Sequence, residues 1–110
     1  MDLKKFKEGV RLFNSSQFFE AHEAWEEIWL AADKKSLEGQ YLMGLIQYAA
    51  FLLKLSEAKH KAAATLGENA LAKLGRACKD EEWLSRAKAF FEKYKMGETV
   101  SLKDFPRIVL

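Results

Sequence analysis

The chain reads LEGQYLMGLIQYAAFLLKL from residue 37 to residue 55, and this stretch decides the fold. Its apolar residues surround a helix on nearly every side, which is typical of a helix buried at the centre of a bundle. The polar residues Gln40, Gln47 and Lys54 recur at seven-residue spacing along one narrow line. Gly39 and Gly44 each cost about 1 kcal/mol against alanine in a helix, so we expect a neighbouring backbone to approach closely there.

Helical patterns continue on both sides of this segment. Asp2 and Asp80 are good N-caps for the first and last helices, and residues 14–16 are expected to cap the second helix. Residues 9–28 match the spacing of a tetratricopeptide-type helix pair, which supports an antiparallel hairpin of the first two helices. Apolar residues between positions 100 and 110 predict a tail that packs down. The predicted helices span about 2–13, 17–32, 37–55, 60–77 and 80–96.

The composition limits the class of protein. With 110 residues, the chain has room for one helical domain, 1–110, and its 49% hydrophobic content is enough for a packed core. A net charge of +2 with interleaved acids and bases argues against a nucleic-acid partner. The apolar run at residues 41–53 is shorter than the roughly 20 residues of a membrane span. The single Cys78 forms no intrachain disulfide, and we expect a cytoplasmic protein without membrane association.

One polar pair interrupts the apolar arc of the second helix. His22 and Glu26 are one turn apart, and at about 100° per residue they project among Phe18, Trp25 and Trp29. An ionised carboxylate in such a setting costs several kcal/mol unless it is paired, protonated or metal-bound. The sequence therefore predicts a buried polar cluster at this place.

Three interpretations of the cluster remain open. In the first, Glu26 accepts hydrogen bonds from His22 and from Gln47, Tyr41 or Tyr48, and so locks two helices together. In the second, the sequence His-Glu-x-x-Glu uses His22 and Glu26 as ligands of a divalent metal (Zn, Fe or Mn) and Glu23 as the catalytic base. In the third, the cluster belongs to a pocket for a small ligand or a peptide. That pocket would be formed by Trp25, Trp29, His22, Glu26 and Gln47.

The same residues carry a resemblance to a known family. Leu12-Phe13-Asn14, then Phe18-Phe19-Glu20-Ala21-His22-Glu23-x-Trp25-Glu26-x-x-Trp29, then Gly44-Leu45-Ile46-Gln47-x-Ala49-Ala50, resemble the family called domain of unknown function 309. The resemblance implies a compact multihelical domain of bacteria and archaea without an established activity. Some members are labelled predicted metal-dependent hydrolases. The family pattern marks His22, Glu23, Glu26, Trp29 and Gln47.

These observations predict an all-α, compact bundle of about five helices with a packed C-terminal tail. The predicted function is that of a small cytoplasmic interaction or ligand-binding module with a buried His/Glu/Gln cluster. The alternative is a metal-dependent hydrolase. A homodimer formed through apolar surface left over at residues 100–110 is a further interpretation that the sequence leaves open.

Overall fold

The computed structural model describes residues 1–110 and contains five α-helices, one short 3-10 turn and no strand. The all-α bundle predicted from the sequence is confirmed, and it measures 37 × 25 × 24 Å. None of the helices is long and apolar enough to cross a membrane. The elements are α1 (Leu3–Asn14), α2 (Phe18–Leu30), α3 (Leu37–Ser56), α4 (His60–Ala77), α5 (Glu81–Lys95) and the 3-10 turn (Leu102–Asp104).

Short polar side chains form the N-caps of three of the helices. The Asp2 carboxylate accepts a hydrogen bond from the Lys5 backbone N–H at 3.1 Å, and Asp80 accepts one from Trp83 at 3.0 Å, as the sequence predicted. Ser36 caps α3 in the same way. The predicted cap of α2 is wrong, because Gln17 occupies the N-cap position and its side chain makes no capping bond.

α3 forms the centre of the bundle. It packs directly against α2 and α4, and its aromatic side chains reach α5. Tyr48 is fully buried, and its ring lies 5.6 Å from that of Trp83 and 6.5 Å from that of Phe13. Its hydroxyl donates to the Ala87 carbonyl at 3.0 Å, and burial raises the pKa of Tyr48 well above its usual range. One side chain thus ties α1, α3 and α5 together.

The close approach expected at the two glycines of α3 is confirmed. A Cβ on Gly44 would lie 2.7 Å from Cγ of Leu74 and 3.3 Å from the backbone nitrogen of Leu74 in α4. A Cβ on Gly39 would lie 2.9 Å from Cα of Lys34, in the turn before α3. Only a residue without a side chain lets the backbones approach this closely.

α1 and α2 form the predicted antiparallel hairpin. Phe13, near the end of α1, contacts Phe18 at the start of α2 with ring centroids 5.8 Å apart. Further along α2, the fully buried Trp25 lies over Gly9 and donates its indole N–H to the Phe6 carbonyl at 3.2 Å. The hydrogen bond satisfies the one polar atom of an otherwise apolar side chain.

The C-terminal tail packs down, as predicted, and Asn14 holds it. The Asn14 amide both donates to the carbonyl and accepts from the N–H of Ile108, each at 2.8 Å. Trp83 donates to the Pro106 carbonyl at 2.9 Å, and the Phe105 ring meets Phe13 edge-on at 5.3 Å. Asn14, which the sequence assigned to the cap of α2, therefore pairs with the tail 94 residues away.

Asn14→Ala should lower the free energy of unfolding by about 1–3 kcal/mol, because it removes two hydrogen bonds and leaves part-buried backbone groups of Ile108 unpaired. Urea unfolding followed by circular dichroism measures the change. Ser15→Ala, at the exposed neighbouring position, serves as the control and should have little effect. Equal stability of the two variants would contradict an anchoring role for Asn14.

Candidate functional site

The polar pair of α2 lies at the edge of the helix packing, not inside it. His22 Nε2 is 3.4 Å from Glu26 Oε2, and the two side chains are 28% and 43% exposed. The expectation of a buried cluster is therefore corrected, and no histidine or carboxylate residue of the chain is buried. α2 packs against α1 on one side and α3 on the other, and its third side remains open. Exposure at this edge spares the carboxylate the cost of burial.

The Gln47 side chain forms its hydrogen bond with α4, and not with Glu26 of α2 as expected. Its side-chain oxygen accepts a hydrogen bond from Lys73 Nζ of α4 at 3.1 Å, and Gln40 accepts one from Arg76 at 3.0 Å. Two of the three residues in the polar line of α3 thus face α4, and the third, Lys54, pairs with Glu57. The hydrogen bonds considered between Glu26 and Gln47, Tyr41 or Tyr48 are not formed.

One ring nitrogen of His22 is buried and has no hydrogen-bond partner. Its Nδ1 is the only buried side-chain nitrogen or oxygen in the chain without a hydrogen-bond partner. The half-exposed Phe19 stacks beside the imidazole, with ring centroids 6.3 Å apart and planes inclined by 17°. A buried polar atom without a partner costs about 1–3 kcal/mol, whereas an exposed ion pair contributes at most about 1 kcal/mol. The polar interactions of His22 therefore do not increase the free energy of unfolding, and stability gives no reason for a histidine at this position.

His22→Leu should leave the free energy of unfolding unchanged or raise it by about 1 kcal/mol, because it removes the unsatisfied nitrogen and retains apolar contact with Phe19. Trp25→Ala, in the same helix, should lower it by about 3–5 kcal/mol through loss of core packing. Chemical denaturation of the two variants makes the comparison. A loss above about 2 kcal/mol for His22→Leu would mean that the histidine is a structural residue.

The residues do not fit the metal site that the family label implies. No group of three or more His, Cys, Asp or Glu side chains is arranged to hold a metal ion. His22 and Glu26 supply two donors, whereas catalytic zinc sites use three protein ligands and one open position. Glu23 is exposed on the outer side of α2. No hydrolytic step is derived from this arrangement.

Dialysis of the purified chain against EDTA should leave its melting temperature unchanged, since two half-exposed donors contribute no metal-dependent folding energy. Differential scanning fluorimetry before and after dialysis, with metal analysis of the same sample prepared without a histidine tag, tests this expectation. A lower melting temperature that one equivalent of Zn²⁺ restores would contradict it.

The two tryptophans of α2 have separate environments and do not form the expected pocket. Trp25 is a core residue. Trp29 is half-buried, and the Lys34 ammonium group lies 4.5 Å from its ring centroid. The five principal surface cavities are lined by other residues, and none contains His22, Glu26, Trp29 or Gln47.

The open side of α2 instead presents an exposed surface, which we call the acidic α2 face. Phe19 and Leu30 are large hydrophobic side chains near its two ends and are 53% and 62% exposed. Glu27 pairs with Lys5 of α1 at 3.1 Å, and this hydrogen-bonded, oppositely charged partner raises the pKa of Lys5. The acidic α2 face consists of Phe19, Glu20, His22, Glu23, Glu26, Glu27 and Leu30.

Phe19 and Leu30 were missed as surface residues by the sequence interpretation. Both fall on the apolar arc of the helical wheel, where the pattern predicts core. The available signal was their place at the rim of that arc, directly beside the Glu23 position.

A family model described as "Domain of unknown function (DUF309)" matches residues 6–66. The match covers more than half of the chain and includes nearly all of α1, α2 and α3, as well as the acidic α2 face. No curated protein and no solved structure matches the chain.

Proposed function

The chain belongs to the DUF309 family, and we propose that it is a small helical interaction module. In this proposal, the acidic α2 face binds a basic amphipathic segment of a partner protein. One observation carries the proposal: α2 is the only helix without a lysine or arginine, and it exposes a large hydrophobic side chain near each end.

The negative charge of α2 favours a positively charged partner. The helix carries four glutamates in 13 residues, whereas the whole chain has a net charge of +2. Glu20 and Glu23 make no ion pair within the chain, and Lys5 of α1 pairs with Glu27. A partner rich in lysine or arginine would supply the missing counter-charges and would be steered to this face during association.

The two exposed hydrophobic residues define the length of the bound segment. Phe19 and Leu30 are eleven positions apart, which corresponds to about 16 Å and three turns of helix. Their side chains lie along nearly the same line of α2, so that a partner helix of about three turns could contact both. Burial of exposed apolar surface supplies the main free energy of such a contact, and the charges supply its specificity.

His22 and Glu26 lie between the two hydrophobic residues. Both side chains are half-exposed, and their only polar contact is the one they make with each other across 3.4 Å. They can replace this weak contact with hydrogen bonds to a partner. A residue that adds little to stability but lies at the centre of an exposed face is suited to recognition. The cytoplasm is the proposed location of the complex, in keeping with the single unpaired Cys78.

A 14-residue amphipathic peptide of leucine and lysine is the probe for the proposed function. We expect it to shift amide signals of residues 19–30 in ¹H–¹⁵N correlation spectra of the labelled protein. The double substitution E20K/E23K should weaken binding about tenfold, because it replaces two attractions with two repulsions. Raising the salt concentration should weaken binding by the wild type for the same reason.

The control variant E92K/E98K makes the same change in net charge at exposed positions of α5 and the segment after it. Its affinity for the peptide should stay within about twofold of the wild type, since screening removes charges a Debye length away. An equal loss of affinity in both variants would show that net charge alone governs binding, and the proposed function would be wrong. Amide shifts concentrated on another helix would lead to the same conclusion.

A further inference from the structure

A second surface, which shares no residue with the acidic α2 face, has the shape of a ligand site. We call it the tail groove, because it is lined by the C-terminal tail together with the first turns of α1 and α3 and the link from α4 to α5. Its volume is about 480 Å³, and nine of its twelve lining residues are hydrophobic. Small-molecule sites typically have volumes of roughly 300–1,000 Å³ and mostly apolar walls.

The walls of the tail groove hold apolar side chains in contact with water. Leu3 of α1, Leu37 of α3 and Val109 of the tail are 63%, 60% and 75% exposed. They come from three separate segments and line one concave surface. A contiguous apolar surface of this kind indicates a binding site, whereas isolated exposed leucines need no explanation.

Tyr41 supplies a polar group within the groove that no other residue uses. Its ring packs against Phe6 with centroids 6.1 Å apart, but its hydroxyl makes no hydrogen bond. The hydroxyls of Tyr48 and Tyr94 both donate to backbone carbonyls. Burial, together with the neighbouring Cys78 and Asp80, raises the pKa of Tyr41 to about 12, so the hydroxyl remains a donor at neutral pH.

The charged groups around the groove are either paired within the chain or exposed to water. The N-terminal amino group lies 3.7 Å from the Glu38 carboxylate. Lys79 and Asp80 are adjacent and carry opposite charges, and Asp80 is already engaged as the cap of α5. Lys79 makes no ion pair, but its side chain is exposed, and an exposed ion pair contributes at most about 1 kcal/mol. An ionic head group would therefore lose hydration in the groove without gaining a buried counter-ion.

From these three features we infer that the tail groove binds an uncharged amphiphile. The ligand has an unbranched or lightly branched apolar body, which lies against Leu3, Leu37 and Val109. Its single polar head group accepts a hydrogen bond from the Tyr41 hydroxyl. This site is separate from the acidic α2 face, so neither proposal depends on the other.

The probes are 1-octanol, octanoate and octylammonium, which share one tail and differ in head-group charge. Titration into the full ¹⁵N-labelled chain should give saturable shifts at residues 3, 37, 41 and 109 with 1-octanol. The dissociation constant of 1-octanol should be below about 1 mM, and both charged homologues should bind at least about fivefold more weakly. Tighter binding of either charged homologue, or shifts spread through the core without saturation, would overturn the inference.

Two variants test the contacts. Tyr41→Phe should weaken 1-octanol binding about fivefold and leave binding of butylbenzene, which lacks an acceptor, unchanged. Leu37→Glu places a charge in the groove at a helix start where a carboxylate is tolerated, and it should abolish 1-octanol binding. Met96→Glu makes the same kind of change at an exposed position outside the groove and should bind like the wild type. Wild-type affinity in Leu37→Glu would show that the ligand lies elsewhere.

Discussion

The burial of α3 on nearly all sides is the constraint on which the rest of the structure depends. A helix with so much apolar surface is stable in water only when other helices cover it, and here α2, α4 and α5 do so. Gly44 lets α4 approach closely, and Tyr48 fills the space towards α1 and α5. The remaining helices take their positions from this central one.

The two candidate surfaces follow from how a small bundle covers its central helix. α2 is needed on one side of α3 and is itself covered by α1, so its third side stays exposed. The tail groove lies between the first turns of α1 and α3, the link from α4 to α5 and the C-terminal tail.

Periodicity predicted the helices well because each one is a local property of the chain. The N-caps at Asp2 and Asp80 and the end of α5 before Gly97 are where the sequence placed them, and α1 ends one residue later than predicted, at Asn14. The same periodicity failed for His22, Phe19 and Leu30. A helical wheel shows which side chains share a face, but it does not show whether a neighbouring helix covers the whole of that face.

The sequence by itself determined the five helices, the central place of α3, the hairpin of α1 and α2 and the membership of the DUF309 family. These features depend on residue spacing within short segments, where hydrophobic periodicity and capping act. Only the tertiary structure decided that Asn14 holds the tail, that Gln47 faces Lys73, and that the polar pair of α2 is half-exposed. Each of these depends on which segments meet in space, because contacts between distant residues arise from the packing of the whole bundle.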